Sequence, residues 1–346
     1  MKSTPQIPVT APAAAAEWVE YYYEQGWSDG VPLVPPTEDS VRDALQAASF
    51  SGKEIIGSIA ERNVAVPAEK VAINAVMAGC LPAYFPVVVA AVRCLCRSEF
   101  HYHNPATSTG GSAFVLVING PLGPLLGINS GHNAFGPGVR ANATIGRALR
   151  LVMLNVLNTR PGLLDKATLG TPGKYTFCFA ENEENHPWEP FHVTRGFASE
   201  ENTVTLYASN TIMGVYNQFA RTPEALLNEF ADALCNLASP NIYGFNENMV
   251  VLAGEYAEII RQSGWSRRPV QEFVLARAHR SVAAFKRAGR LQGPIAQGDN
   301  DKARFVIGEP ADLLIIYAGG AGGSWSACLP GWGKKWTRSV TEQIGA

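Results

Sequence analysis

The chain has 346 residues, with 28 Lys and Arg against 30 Asp and Glu, 47% hydrophobic and only 17% charged. That length suits one large domain or two ordinary ones with a substantial core. A net charge of −2 gives no electrostatic case for nucleic acid or a membrane surface as partner, and no apolar run reaches the roughly 18 residues needed to cross a bilayer.

Residues 1–16 are rich in Pro, Ala and Thr and lack a basic stretch followed by an apolar one, so a flexible arm is expected there rather than a signal peptide. Residues 13–25 predict a helix with Trp18, Tyr21 and Tyr22 on one stripe, ending at Gly26. Three prolines make 28–36 a rigid, irregular loop. Residues 37–48 predict a second helix, capped by Thr37 or Asp39. The apolar stretch 67–97 predicts two helices, broken at Gly79-Cys-Leu-Pro82, with Cys80 exposed at their corner. A short buried strand follows at 114–119. The clearest amphipathic helix is 142–158, where Ile145, Leu149, Val152, Met153 and Val156 recur at helical spacing and Arg147 and Arg150 are the charges. Strands are expected at 174–180 and 203–208, and a helix at 223–237. Beyond 240 the order strand (249–253), helices (257–262 and 269–287) and strand (312–317) suggests a small α/β unit. The fold class is therefore mixed α/β: a helix-rich main domain over 17–240 with short buried strands, and a smaller α/β unit over 241–346 that closes the pocket.

Three segments dense in glycine and small polar residues each adjoin an apolar run: 104–112, 127–138 and 319–326. Glycine lets the backbone approach a ligand closely, and bare N–H groups beside a helix start favour anions. The three are expected to wall one polar pocket for a small anionic molecule; three unrelated turns are the alternative. Asn104 and Ser112 come from the first, Asn129 and Ser130 from the second, and Ser324, Trp325 and Ser326 from the third. Arg140 follows the second segment and is suited to a bidentate contact with a carboxylate, sulfate or phosphate. The Walker and dinucleotide glycine patterns are missing, and His101 and His103 have no third ligand nearby in sequence, so neither cofactor nor metal is expected.

For proton transfer, Asp29 lies in the rigid loop beside Trp27, where it is either a base or a turn-forming residue. Glu181 ends a strand, and Lys174 and Tyr175 begin it, placed to assist a leaving group. The six cysteines fit no zinc ribbon or disulfide framework, so a reducing cytoplasm is expected. Cys80 at the helix break is the best candidate thiol and Cys328 the second; a buried, inert thiol is the alternative for each.

Asp29-Gly-Val-Pro-Leu-Val-Pro-Pro36, Val71-Ala-Ile-Asn-Ala-Val-Met-Ala-Gly-Cys80 with Tyr84-Phe-Pro86, Gly136-Pro-Gly-Val-Arg-Ala-Asn-Ala-Thr-Ile-Gly-Arg147 and Pro172-Gly-Lys-Tyr-Thr-Phe-Cys-Phe-Ala-Glu-Asn-Glu183 together resemble a family of bacterial proteins associated with UGSC-type selenoproteins and their cysteine forms. Where that pattern has Cys-Gly-Ser-Cys, the nearest match here is Trp325-Ser-Ala-Cys328, without the first thiol. A fainter resemblance is to aziridine-forming enzymes of natural-product biosynthesis, in which sulfate leaves as an amine closes the ring.

These readings converge on an enzyme acting on a small anionic metabolite by elimination or displacement of an anionic leaving group. Asp29 or Glu181 would be the base, and Arg140 with the polar loops would hold the departing anion. A thiol enzyme using Cys80 or Cys328 and a non-catalytic binding protein for a small acid are the alternatives. The sparse surface charge further implies a homo-oligomer.

Overall fold

In the computed structural model, which describes residues 13–184, 186–333 and 336–345, two four-stranded sheets lie face to face between two layers of helices. The first half runs α1 (Ala13–Glu24), α2 (Glu38–Ala47), a hairpin of β1 (Ile55–Ile59) and β2 (Val64–Pro67), α3 (Ala68–Ala78), α4 (Phe85–Cys96), α5 (His103–Thr107), β3 (Ala113–Asn119), α6 (Leu122–Leu125), α7 (Arg140–Asn155), β4 (Cys178–Ala180) and β5 (Thr203–Ser209). The second half runs β6 (Met213–Tyr216), α8 (Pro223–Leu234), β7 (Asn248–Leu252), α9 (Gly254–Gln262), α10 (Arg267–Arg277), β8 (His279–Ser281), α11 (Val282–Arg287), β9 (Ala303–Phe305), β10 (Leu313–Tyr317), β11 (Trp325–Pro330) and β12 (Val340–Gln343). The arm expected over 1–16 lies mostly outside the described residues, and the chain is helical from Ala13.

The first sheet has the order β12-β5-β3-β4, with β3 parallel to β4 and antiparallel to β5. The second has the order β10-β7-β11-β6, with β10 and β7 parallel. Alternation along each strand divides the core. Phe114, Leu116 and Ile118 of β3 pack on α3, α4 and α7, whereas Val115 and Val117 meet Met249, Val251, Leu314 and Ile316 of the other sheet. Leu313, Ile315 and Tyr317 turn the opposite way, onto α8, α9 and α10. Both faces of these strands are covered, so the sequence shows continuous apolar runs instead of alternation.

The chain does not divide at 240 as expected. Strand β6 and helix α8 precede that point yet belong with the second sheet, and β12 returns to the edge of the first. The stretch 67–97 forms the two helices expected, with Gly79 in the left-handed conformation at the first one's end. Thr37 caps α2 as expected, accepting from the Ser40 N–H.

One buried carboxylate fastens the two sheets. Glu181 follows β4; its Oε1 accepts from the Tyr317 N–H (3.3 Å) at the end of β10 and faces His186 Nε2 at 3.0 Å. Its Oε2 accepts from the Asn119 side chain at the end of β3 and from the Phe191 N–H (2.7 Å). Burial alone would raise this carboxyl, but His186 and the other donors outweigh it and hold the group below the ordinary glutamate range. Glu181→Gln is expected to cost about 3 kcal/mol at neutral pH by urea unfolding, because it replaces a buried carboxylate, on which several donors converge, by an amide that accepts through one oxygen only. The folded carboxyl titrates below its unfolded value of about 4.3, so the gap between the proteins is full above that pH and narrows as pH falls through the folded value. A gap that stays constant down to about pH 3 contradicts this assignment.

Candidate functional site

The three glycine-rich segments do not wall one pocket. The second and third meet: the Gly319 N–H donates to the Ser130 carbonyl (2.8 Å), near the carboxyl ends of β4 and β10. The first leads into the other end of β3, whose seven residues span on the order of 20 Å. Where the second and third segments meet, the polar groups are already bound. Asn129 accepts from the Gly131 N–H and donates to the His132 carbonyl. Ser324 donates to Glu255, and the Ser326 hydroxyl accepts from the Ala253 N–H (3.1 Å). Trp325 and Ser326 are not loop at all; they begin β11, and Trp325 stacks on Tyr216 with centroids 4.6 Å apart. A cavity of about 530 Å³ below this junction is lined by Glu184, Glu258 and Arg261, which is two carboxylates against one guanidinium and unsuited to an anion. At its wall, His186 Nδ1 accepts from the Trp188 N–H and Nε2 lies 3.0 Å from Glu181 Oε1.

Four more expected site residues have structural partners. Arg140 donates through Nε and Nη2 to the Gly79 carbonyl (2.9 and 2.8 Å), closing the end of α3 rather than holding a ligand. Asp29 is clamped by Arg147, Nε to Oδ2 at 2.9 Å and Nη2 to Oδ1 at 2.8 Å, and a carboxylate so paired is no free base. Glu181 is occupied by three donors, with His186 facing it. Cys80 is not exposed at the helix corner. Its thiol donates to the Thr144 carbonyl (3.3 Å), and burial pushes it up to about 12. Burial likewise raises Cys328. Asn104 sits exposed on the short α5, and the other expected residues of that end gather elsewhere.

That gathering is a cavity of about 600 Å³, at the end of the first sheet where the parallel strands β3 and β4 begin. Its wall combines the 28–29 loop, Arg150 and Leu154 on α7, and the loop 161–175. Asp165 is the centre. Its Oδ2 receives both Lys174 Nζ (2.6 Å) and Arg150 Nη2 (3.1 Å), and its Oδ1 accepts from the Ala167 N–H. The Asp165 side chain is 5% exposed, against 13% for Arg150 and 17% for Lys174. Burial opposes ionisation of Asp165, but Lys174, the Ala167 N–H and Arg150 hold it below the ordinary aspartate range. Burial also lowers Lys174, and the neighbouring Arg150 lowers it further, against the pull of Asp165. Two cations thus share one carboxylate oxygen at a cavity wall, an excess of one positive charge at Asp165, while Asp29, the other carboxylate of that wall, is paired with Arg147.

Local sequence explains the placement. The first glycine segment clamps the 161–175 loop: the Thr168 N–H donates to the Thr109 carbonyl, and Gly111 lies so close to Gly170 that an added Cβ would stand 2.7 Å from its Cα. Ser112, also expected at a site, is buried with an unpartnered hydroxyl beside a small cleft shared with Arg150 and Lys174. Arg160 secures the loop's start by donating to the Gly26 carbonyl. Of the residues expected at a site from sequence, Lys174 lines this cavity and Ser112 lies beside it; Asp165 and Arg150 were not among them. A signal existed, since Asp165 is the sole acidic residue between Arg140 and Ala180, among Arg140, Arg147, Arg150, Arg160, Lys166 and Lys174. Among the described residues no three His, Cys, Asp or Glu side chains are grouped to hold a metal ion, and no helix is long and apolar enough to cross a membrane.

Comparison with protein-family models gives no match, and comparison with curated proteins gives none either.

Two outcomes are expected. Gly111→Ala, which forces a Cβ onto Gly170 at positive φ, should lower stability by about 1–3 kcal/mol in thermal unfolding; an unchanged melting temperature contradicts the clamp. Native Cys80 should alkylate on the order of a thousandfold more slowly at pH 8 than the same cysteine in urea, read by peptide mass spectrometry. Equal rates would restore it as a nucleophile.

Proposed function

We propose that this chain is an enzyme that binds a small anionic metabolite in the Arg150–Asp165–Lys174 cavity and eliminates or displaces an anionic leaving group. The observation that supports it is the two-to-one pairing of cations with the Asp165 carboxylate. A cavity of about 600 Å³ lies within the usual range for small-molecule sites. Two of the motifs that resemble the UGSC-associated family also border it, through Asp29, Pro172 and Lys174.

On this reading Arg150 holds the leaving oxygen through charge-assisted hydrogen bonds. As the bond from carbon to that oxygen breaks, its electron pair stays with the oxygen, and protonated Lys174 holds the new charge beside Arg150 by a charge-assisted hydrogen bond without giving up its proton. The proton released by the carbon or amine that forms the new bond passes to solvent, so the enzyme ends as it began. Sulfate release with ring closure, suggested by the aziridine-forming resemblance, is one form of this chemistry. The Asp29, Glu181 and Cys80 roles expected from sequence have no place in it.

Titration with inorganic sulfate is expected to show binding weakened at least about tenfold by Lys174→Met or Arg150→Gln, the effect of losing one charged hydrogen bond. Binding requires protonated Lys174, so it is lost as pH rises through the lowered lysine value, and Lys174→Arg retains it at higher pH. Release of sulfate or phosphate from a panel of small amino-alcohol esters should stop in Lys174→Met. Binding without release from any ester would leave a small-acid binding protein instead; unaltered sulfate affinity in both variants would remove the site.

A further inference from the structure

The Arg150–Lys174 cavity, at about 600 Å³, is much larger than a sulfate or phosphate group, so whatever carries that group must occupy the rest of it. Among the described residues, the charges of its wall are Asp29, Arg150, Asp165 and Lys174. Asp29 is held by Arg147, and Asp165 by the two cations, so only the cationic surplus is open to a ligand. The Ser28 hydroxyl donates to the Val31 carbonyl and accepts from the Gly30 N–H. The remaining wall is chiefly apolar, formed by Leu154, Pro161, Leu169 and Tyr175.

Two of those apolar side chains stand in water. Leu169 is 96% exposed and Tyr175 54%. Single exposed apolar side chains are ordinary on a protein surface. These two differ in sharing one cavity with the cationic surplus and in standing on anchored backbone. On one side of Leu169 the Thr168 N–H donates to the Thr109 carbonyl (2.9 Å), and on the other Gly170 packs against Gly111. Tyr175 directly follows Lys174, and its N–H donates to the Pro172 carbonyl (3.1 Å). The loop therefore holds a leucine and an aromatic ring in place at the open side of a charged cavity. A ligand that covers them gains by removing apolar surface from water, with little further ordering of the loop to offset it.

We infer that the substrate is an amphiphilic ester: its anionic group meets Arg150 and Lys174, and an uncharged arylalkyl or branched-alkyl body lies against Leu169 and Tyr175. The inference rests on the reading of this cavity as an anion site and adds the class of molecule that the anion belongs to. A second charged group on that body would meet no open partner in the wall and would be desolvated at a cost. Leu169 and Tyr175 then set which esters are taken, by contact with a part of the substrate remote from the bond that breaks.

The test is isothermal titration of the protein with methanesulfonate and with phenylpropanesulfonate, which carry the same head group and cannot release it. The aryl compound is expected to bind at least about tenfold more tightly. Leu169→Asn and Tyr175→Ser alter exposed side chains, so the fold is not at stake. Each should cut the aryl advantage at least about threefold and leave methanesulfonate affinity unchanged. Lys174→Met should weaken both compounds together. Failure of both sulfonates to bind removes the anion site, and the inference with it. Equal affinity for the two, or an aryl advantage that survives either Leu169→Asn or Tyr175→Ser at full strength, overturns the inference alone and leaves the anion site standing.

Discussion

A charge taken out of water needs a partner, and that requirement organises this protein. Glu181 joins the ends of β3, β4 and β10 through one buried carboxylate. Asp29 ties the proline-rich loop to α7 through Arg147, and Arg140 ties α7 to the end of α3. Each is a seam between elements distant in sequence. At Asp165 the pairing is not one to one. Two cations lean on a single oxygen, and that surplus faces a cavity. The seams at Glu181, Asp29 and Arg140 hold elements together; the cationic surplus at Asp165 lines open space instead.

The fold sets where that surplus lies. Ligands of open parallel sheets commonly sit beyond the carboxyl ends of the strands, and the third glycine segment was expected to follow that rule. In this double-sheet arrangement the carboxyl ends of β4 and β10 are sewn together by Glu181 and by the contact of Asn182 with Tyr317. The cavity with a cationic surplus is at the other end, where β3 and β4 begin and where α7 delivers Arg150. The close approach of Gly111 to Gly170 holds the loop that carries Asp165 and Lys174. Rigidity in that loop is what lets two side chains from different elements meet at one oxygen.

Helices were legible because amphipathic spacing and caps are local. Thr37, Gly79 and the stripe on α7 all did what their positions implied. The mixed α/β class followed from the same signals. The sandwich did not, because strands covered on both faces lose the alternation that would reveal them, and short strands such as β6, β11 and β12 merge with neighbouring loops. At the site, glycine-rich segments flagged backbone freedom correctly but not its use. Gly111 and Gly170 serve close packing, and the second and third segments serve the junction of the two sheets. Asp29, Arg140 and Glu181 were singled out as reactive from their settings, and those same settings supplied the partners that occupy them. Lys174 and Ser112 were singled out from sequence, whereas Asp165 and Arg150 needed the pairing to become visible.

The central claim is that the positive surplus at Asp165 receives an anion. Crystals soaked in selenate and measured at the selenium absorption edge test it most directly. The account predicts an anomalous peak within hydrogen-bond distance of both Arg150 and Lys174, with the two side chains still resting on Asp165. A cavity without a peak there, under soaking conditions that label other surface sites, would contradict it.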